Sequence, residues 1–452
     1  MKKHFFIPVI LVALGFSGQA QEEKPLRLTY NEAIKIAMKS NVTLNQQKNF
    51  LLSSEVQRNQ SIAAFLPSLG IQGSVNHTDG QQPSPETGDL EDLSVDNVSA
   101  SLQAGVTIFN GFNRINTLNA NINQFKAQAA FVKRSEQDVV FNVTNQYLQV
   151  LLDQELLKIA QESFKAQSVL LDQLKEQVRL GARAESDQYT QDAQVRNLEL
   201  IALRAKVTLE NDKALLAQTL QLDPAVPFDV ELPRIDNSFN INGVSVDSLY
   251  AIAVANREDL KRADYQAKAN LYAYKASINT YLPSLNASAS YGSQYVSTLK
   301  PDPAYGTFSN QFRNVFPRLS YGVSLTIPIF DRLQTRNNRV FNKMTYENSK
   351  IVRDNVEKTI KIDVKRTYNN YLTAIESYEA SQIQYQAGEL ALKTQQESFI
   401  LGISAQVALA QANQTFVQAA ASRAQAEITL VFQKMLLDYA LGTLNPQSII
   451  EQ

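Results

Sequence analysis

The strongest constraint in this sequence is an internal duplication. Phe65-Leu66-Pro67-Ser68-Leu69 returns as Tyr281-Leu282-Pro283-Ser284-Leu285. Val106-Thr107-Ile108-Phe109-Asn110 returns as Leu325-Thr326-Ile327-Pro328-Ile329-Phe330-Asp331, and Leu180-Gly181 returns as Leu401-Gly402. From Phe109 to Gly181 is 72 positions, and from Phe330 to Gly402 is again 72. Equal spacing of unlike landmarks means one structural unit of roughly 220 residues, present twice. The first repeat is residues 21–222 and the second 248–452. Residues 223–247 hold Pro224, Pro227 and Pro233 and show no helical period, so they read as a linker.

Each repeat has one order: helix, strand, loop, strand, long helix, break, helix. The first helix is expected over about 31–65 and its copy over about 246–281, each stopped by the proline of the Leu-Pro-Ser-Leu step. Strands are expected at about 68–77, 99–109, 284–295 and 319–330. In the second of these Leu102, Ala104, Val106 and Ile108 alternate with Ser101, Gln103, Gly105 and Thr107. In the fourth, Leu319, Tyr321, Val323, Leu325 and Ile327 alternate with Ser320, Gly322, Ser324 and Thr326. One apolar face and one small-polar face over about ten residues suit a lipid-facing, water-lined barrel strand, but equally a half-buried sheet in a soluble domain. The segments between paired strands read as long loops. The first, 77–98, is acidic and holds His77 without partner ligands; the second is rich in Pro, Tyr and Phe.

Helical hairpins are expected over about 111–221 and 332–442. Residues 113–180 contain neither proline nor glycine, enough for roughly 100 Å of helix. A heptad frame through this stretch finds 15 of 19 core positions apolar, the exceptions being Glu136, Gln146, Asp153 and Gln167. So long a seam means coiled-coil packing. The helices before each strand pair and after each break are each about half the length of the long one. Two short helices stacked end to end can therefore line one long helix, with the linker wrapping the junction at mid-wall. Four strands cannot close a barrel, because bacterial barrels begin at about eight. Membrane strands would therefore require self-association, as a dimer, a trimer or a tetramer.

Composition removes most other functions. The chain has no cysteine and only His4 and His77, so thiolate sites, two-histidine metal sites and Ser-His-Asp relays are excluded. With 43 basic and 44 acidic residues it lacks the basic excess of a nucleic-acid binder. No glycine-rich phosphate loop occurs, and no enzyme activity or cofactor is expected. Met1-Lys2-Lys3-His4, the apolar run from Phe5 to Phe16 and Gly18-Gln19-Ala20 read as a signal peptide over residues 1–20. Its removal leaves 41 basic against 44 acidic residues. No other segment is apolar enough for a spanning helix.

The paired Leu-Pro-Ser-Leu steps, the Ile327-Pro328-Ile329-Phe330-Asp331 exit, the paired Leu-Gly breaks and Tyr439-Ala440-Leu441-Gly442-Thr443-Leu444-Asn445 together resemble the TolC-like family of outer-membrane efflux proteins. The resemblance spans about residues 28–446. It implies a mainly α fold with a transmembrane β-barrel part. Three copies would form a twelve-stranded barrel continued by a periplasmic α-helical coiled-coil tunnel. It implies a place in the outer membrane of a Gram-negative bacterium, most of the mass in the periplasm, and passive export of drugs, dyes, metals or proteins. The implied partners are self, outer-membrane lipid, a periplasmic adaptor and an inner-membrane pump of RND, ABC or MFS type, in tripartite efflux or type I secretion.

By the same resemblance the hairpin tips form the entrance and meet the adaptor. Gly181 and Gly402 would make the breaks, with Leu180, Ala182, Leu401 and Ile403 as docking surface. Family members often carry an aspartate six positions after the tip glycine; Asp187 fills that slot, but Ala408 and Gln411 stand where acids are common in the second tip. Phe399 and Ser404 stand where the family carries a tyrosine and an arginine. The family's polar latch and double aspartate ring are thus largely absent, though three Asp187 could still form one ring. Asp187 reads equally as a solvated residue or a helix cap. Two rival readings are a periplasmic adaptor, which needs one hairpin and split soluble β-domains, and a coiled-coil filament, which leaves the four strands unexplained.

Overall fold

The computed structural model describes residues 26–84, 87–223, 227–231, 245–297 and 306–446. The expected signal peptide and most of the linker lie outside them. The elements run β1 (Leu26–Leu28), α1 (Tyr30–Ser40), α2 (Val42–Ala63), β2 (Ser68–Pro83), β3 (Leu90–Asn110), α3 (Asn113–Arg179) and α4 (Glu185–Leu220). There follow β4 (Phe228–Val230), α5 (Val246–Asn256), α6 (Glu258–Asn279), β5 (Ser284–Val296) and the single turn α7 (Phe308–Asn310), continued as a π-turn over Gln311–Val315. The last elements are β6 (Arg318–Thr326), α8 (Gln334–Ile400) and α9 (Gln406–Leu441). The long helices α3 and α8 are each 67 residues, and their partners α4 and α9 are each 36.

These helices form a wall in two storeys. Near the sheet the side-by-side order is α2, α3, α6, α8; at the far end it is α4, α3, α9, α8. The long helices run through both storeys, as the length arithmetic requires. The storeys meet where the expected single helices over 31–65 and 246–281 are in fact broken, at Asn41 and Arg257. Both breaks have a tertiary cause. The last carbonyls of a helix need donors, and each junction supplies one to a helix end far away in sequence. Ser40 Oγ donates to the Leu220 carbonyl at 2.9 Å, ending α4. Arg257 Nη1 donates to the Ala440 carbonyl at 3.3 Å, ending α9. Arg257 is buried and keeps its charge by pairing with Asp259. Gly442 is required here, since φ is +72° and a Cβ would lie 3.0 Å from the Arg257 nitrogen.

The linker is not structureless where it is described. β4 pairs in parallel with β1, Leu26 to Phe228 through Leu28 to Val230. Tyr147 is fully buried at the midpoint of α3; its hydroxyl donates to the Glu231 carbonyl at 2.6 Å, lies 2.9 Å from the Leu28 carbonyl, and accepts from the Glu231 N–H at 3.0 Å. A phenol thus ties the crossing strands to the wall. Around it Ile34, Leu44, Val140, Val143, Leu216 and Leu220 form the largest core cluster.

Of the polar heptad positions, Asp153 and Gln167 are buried. Asp153 is held by Gln149 Nε2 at 3.2 Å. Burial, and then the Asp212 carboxylate beside it, push its carboxyl from 3.8 up to about 7. Between those values the folded chain keeps a proton that the unfolded chain releases, so stability falls as pH rises from about 4 to 7 and is level above. Asp153→Asn is expected to remove this slope: the gap between thermal midpoints at pH 5 and pH 8 should shrink. An unchanged gap would show that Asp153 does not set it.

The second layer is one antiparallel sheet, ordered β2-β3-β5-β6. The rows Leu69, Ala104, Ala289, Tyr321 and Ile71, Leu102, Tyr291, Leu319 run across one face. The rows Gly70, Gln103, Ser290, Ser320 and Gln72, Ser101, Gly292, Arg318 run across the other. Ile71 and Tyr321 are each 83% exposed, and Val75 is 74%. Apolar groups so exposed in one continuous band are a surface awaiting lipid.

Three features of the sheet differ from the sequence reading. The segment 78–98 is mostly strand: β2 and β3 stay paired out to Pro83 and Leu90. His77 is partnered, its Nδ1 lying 2.7 Å from Asp96 Oδ1 and its Nε2 3.1 Å from Asp79 Oδ2. β6 ends at Thr326 instead of reaching 330, because Pro328 fixes φ and has no N–H for the ladder. The joints into the long helices then repeat each other. Gly111 and Phe112 have φ of +64°, and Arg332 and Leu333 have +56° and +64°. Where the first copy uses a glycine, the second holds an arginine in the left-handed region.

Candidate functional site

The candidate site is the far end of the wall, where the two hairpins turn. Each turn is a Schellman closure, in which a left-handed residue lets its own N–H and the next one bond back into the helix. In the first tip Gly181 N–H donates to the Val178 carbonyl at 2.9 Å, and Ala182 N–H to the Gln177 carbonyl at 2.8 Å. In the second, Gly402 N–H donates to Phe399 and Ile403 N–H to Ser398, both at 3.0 Å. φ is +75° at Gly181 and +74° at Gly402, and a Cβ at either would meet nothing. The glycines serve the turn and are not forced by crowding.

Leu180, Leu401 and Ile403 are exposed, and Ala182 is exposed beside them. The structure adds Ile400 and Val407, which are 80% and 70% exposed. Each such side chain, if covered, contributes about 1.5–3 kcal/mol. Both fall inside the tip expected over 399–411, but the docking residues singled out there were only the immediate neighbours of Gly402.

The candidate constriction residues do not share one environment. Asp187 is half-buried in the first turn of α4, where an acid favours the helix N-terminus. Ala408 and Gln411 are exposed. Ser404 is half-buried and hydrogen-bonded to Gln395. Phe399 is 3% exposed, packed with Leu174, Leu392 and Leu409. Its ring belongs to the tip's core.

Phe399 nevertheless joins the two tips. Arg183 Nη2 donates to its carbonyl at 2.9 Å, and the guanidinium lies 4.5 Å from the ring centre. This arginine stands two residues after the first glycine, not the second, which is why matching to the second tip missed it. Above it, one buried amide contact crosses the same interface and a second backs it within the first hairpin. Gln406 Nε2 donates to Gln191 Oε1 at 2.5 Å, and Gln191 Nε2 to Gln167 Oε1 at 2.9 Å. Among the described residues there is no cluster of three or more His, Asp or Glu side chains able to hold a metal, and no helix long and apolar enough to cross a membrane.

An edge-open sheet with a lipid-ready face, carried on a helical wall that ends in apolar tips, defines a class: outer-membrane channel proteins whose barrel strands continue as helices. A family model described as outer membrane efflux protein matches residues 33–222 and 249–443, and the chain belongs to that family. It is similar to the outer membrane protein TolC of Salmonella enteritidis, 22% identical over all of this chain and 88% of the relative. It is 21% identical to TolC of Escherichia coli K12, with the same coverage. Among solved structures, the Campylobacter jejuni CmeC outer membrane channel superposes with a TM-score of 0.80 at 16% identity, covering 99% of this chain and 97% of that one. VceC of Vibrio cholerae superposes at 0.79 and 14% identity, covering 91% and 96%. The chain is an outer-membrane efflux channel protein, and its relatives are channels, not enzymes.

Proposed function

We propose that three copies of this chain form one export conduit: a twelve-stranded barrel in the outer membrane above a periplasmic helical tunnel. One observation carries this reading. The sheet and the wall are left open on the same two sides. β2 with α2 and α4 forms one edge, and β6 with α8 forms the other. Open strand edges in lipid cost several kcal/mol per unpaired group. A head-to-tail ring removes both edges in both layers at once. Phe50, Leu203 and Val207 on one side, and Phe341, Ile351 and Ile383 on the other, are exposed apolar groups available to that contact.

The conduit is passive and non-enzymatic. The expected signal peptide would route it to the periplasm. The tips, with Leu180, Gly181, Ala182, Leu401, Gly402 and Ile403, would seat on a periplasmic adaptor, and an inner-membrane pump of RND, ABC or MFS type would supply energy for efflux or type I secretion. Negative-stain images of detergent-extracted protein should show three-fold end views and side views longer than about 100 Å, given the helix rise. Water-soluble rods without detergent would instead favour a filament or adaptor.

The Arg183 contact supports a further expectation. Arg183→Ala removes the donor to the Phe399 carbonyl and the stacking on its ring, loosening the first tip from the second. In planar bilayers it should raise single-channel conductance without changing trimer yield. Equal conductance would mean that this contact does not hold the entrance.

A further inference from the structure

The outer hairpin is longer than the barrel beneath it. β3 last pairs with β5 at Asn97 and Val296, and β6 begins only at Arg318. β2 and β3 continue together through seven more pairs, from His77 with Asp96 to Pro83 with Leu90. At about 3.3 Å per residue this two-stranded ribbon projects some 23 Å beyond the four-stranded sheet.

The faces exchange character where the ribbon begins. The face continuous with the apolar band carries His77, Asp79, Asp92 and Asp96. The face continuous with Gly70, Gln72 and Ser74 now carries Leu93 and Val95, opposite Gly80 and Thr78, and then Glu91 opposite Gln82 near the tip. Beyond the bilayer the outward face meets water, which explains its charge. It does not explain two apolar side chains turned over a water-filled lumen. Gly80 leaves open space directly across from Leu93, a notch wide enough to take a side chain from elsewhere.

We propose that the inner faces of three ribbons meet above the barrel and pack Leu93 and Val95 against the second and third copies of this chain, roofing the exit. The inference rests on the trimeric reading. The ribbon is continuous with β2, the edge strand that the ring joins to the next copy. A twelve-stranded barrel with strands about 4.8 Å apart and tilted about 40° has a radius near 12 Å, well within the ribbon's reach. In this arrangement the carboxylates of Asp79, Asp92 and Asp96 face away from the axis; Glu91, one inner-face position beyond Leu93, is the ribbon acid turned toward it, and Thr87 Oγ1 donates to its Oε1 at 3.2 Å.

The chain has no cysteine, so single substitutions report cleanly. Leu93→Cys and Ser94→Cys, on opposite faces, are each oxidised in dilute detergent, and native mass is measured on the same samples. A trimer mass with inter-chain disulfides for Leu93→Cys and none for Ser94→Cys supports the roof, because a disulfide needs Cβ atoms about 4 Å apart. A trimer without the Leu93→Cys link overturns the roof and leaves the conduit standing. Links of equal yield at both positions also overturn it. A mass other than a trimer overturns the roof together with the reading beneath it. Leu93→Asp with Val95→Asp should raise single-channel conductance severalfold; no rise would contradict closure.

Discussion

Gly402→Pro is expected to abolish export while leaving the protein assembled in the membrane. At this position φ is +74°, and proline is held near about −65°. Proline also lacks the N–H that bonds to the Phe399 carbonyl at 3.0 Å. It further disfavours the helical conformation of Leu401, whose φ and ψ are −73° and −3°. The closure at Ile403 N–H then fails too, and with it the placement of Leu401, Ile403 and Val407. The cost is about 3 kcal/mol or more, concentrated in one turn. Gly402→Ala is the graded control. No atom opposes its Cβ, so only the left-handed penalty of about 1–2 kcal/mol applies. Drug retention in cells relying on this channel should rank proline worst, alanine intermediate and glycine best. Membrane trimer should be equal in all three, because the 67-residue α8 separates this turn from the sheet. Normal export with proline would remove the tip from the mechanism.

What the sequence disclosed followed from physics confined to short stretches of chain. The ends of α3 and α8 were legible because proline and glycine are absent between Asn113 and Leu180, and because Leu-Gly marks each turn. The four strands were legible where one face meets lipid and the other water, since that contrast writes a period of two. Where the contrast ends, so did legibility: beyond Val75 the face that carried Leu69 and Ile71 turns to His77, Asp79 and Gln81, and the period of two is lost. The breaks at Asn41 and Arg257 were hidden for another reason. Each exists to serve a helix end lying 180 or more residues away, and no local pattern announces such a partner. Arg183 was hidden likewise, because Phe399 is 216 positions distant. The candidate site was therefore readable as a place, from its paired glycines, and unreadable as a set of contacts.

The second large effect belongs to the sheet, where adjacent residues should behave oppositely. Ile71→Arg is expected to block assembly and Gln72→Arg to permit it. Ile71 lies in the row with Leu102, Tyr291 and Leu319. Outward rows on one side of it include Leu69 with Ala104 and then Leu285 with Leu325; on the other side lies Val75 with Val98 and Tyr295. Ile71 is therefore near the middle of the apolar band, where arginine on a barrel's lipid face costs about 2–4 kcal/mol. Three copies carry that cost together, which exceeds what marginal assembly tolerates. Gln72 is the next residue, turned to the face with Ser101 and Gly292. A charge there enters water inside the barrel and loses little more than a long contact from Gln103 at 3.3 Å. Membrane fractions probed for heat-sensitive trimer should show little for Ile71→Arg and near-normal amounts for Gln72→Arg. A soluble half-buried sheet gives a different answer, because in it one face is a protein core and no detergent is needed. If both variants insert alike, the band does not face lipid, and the barrel assignment of all four strands goes with it.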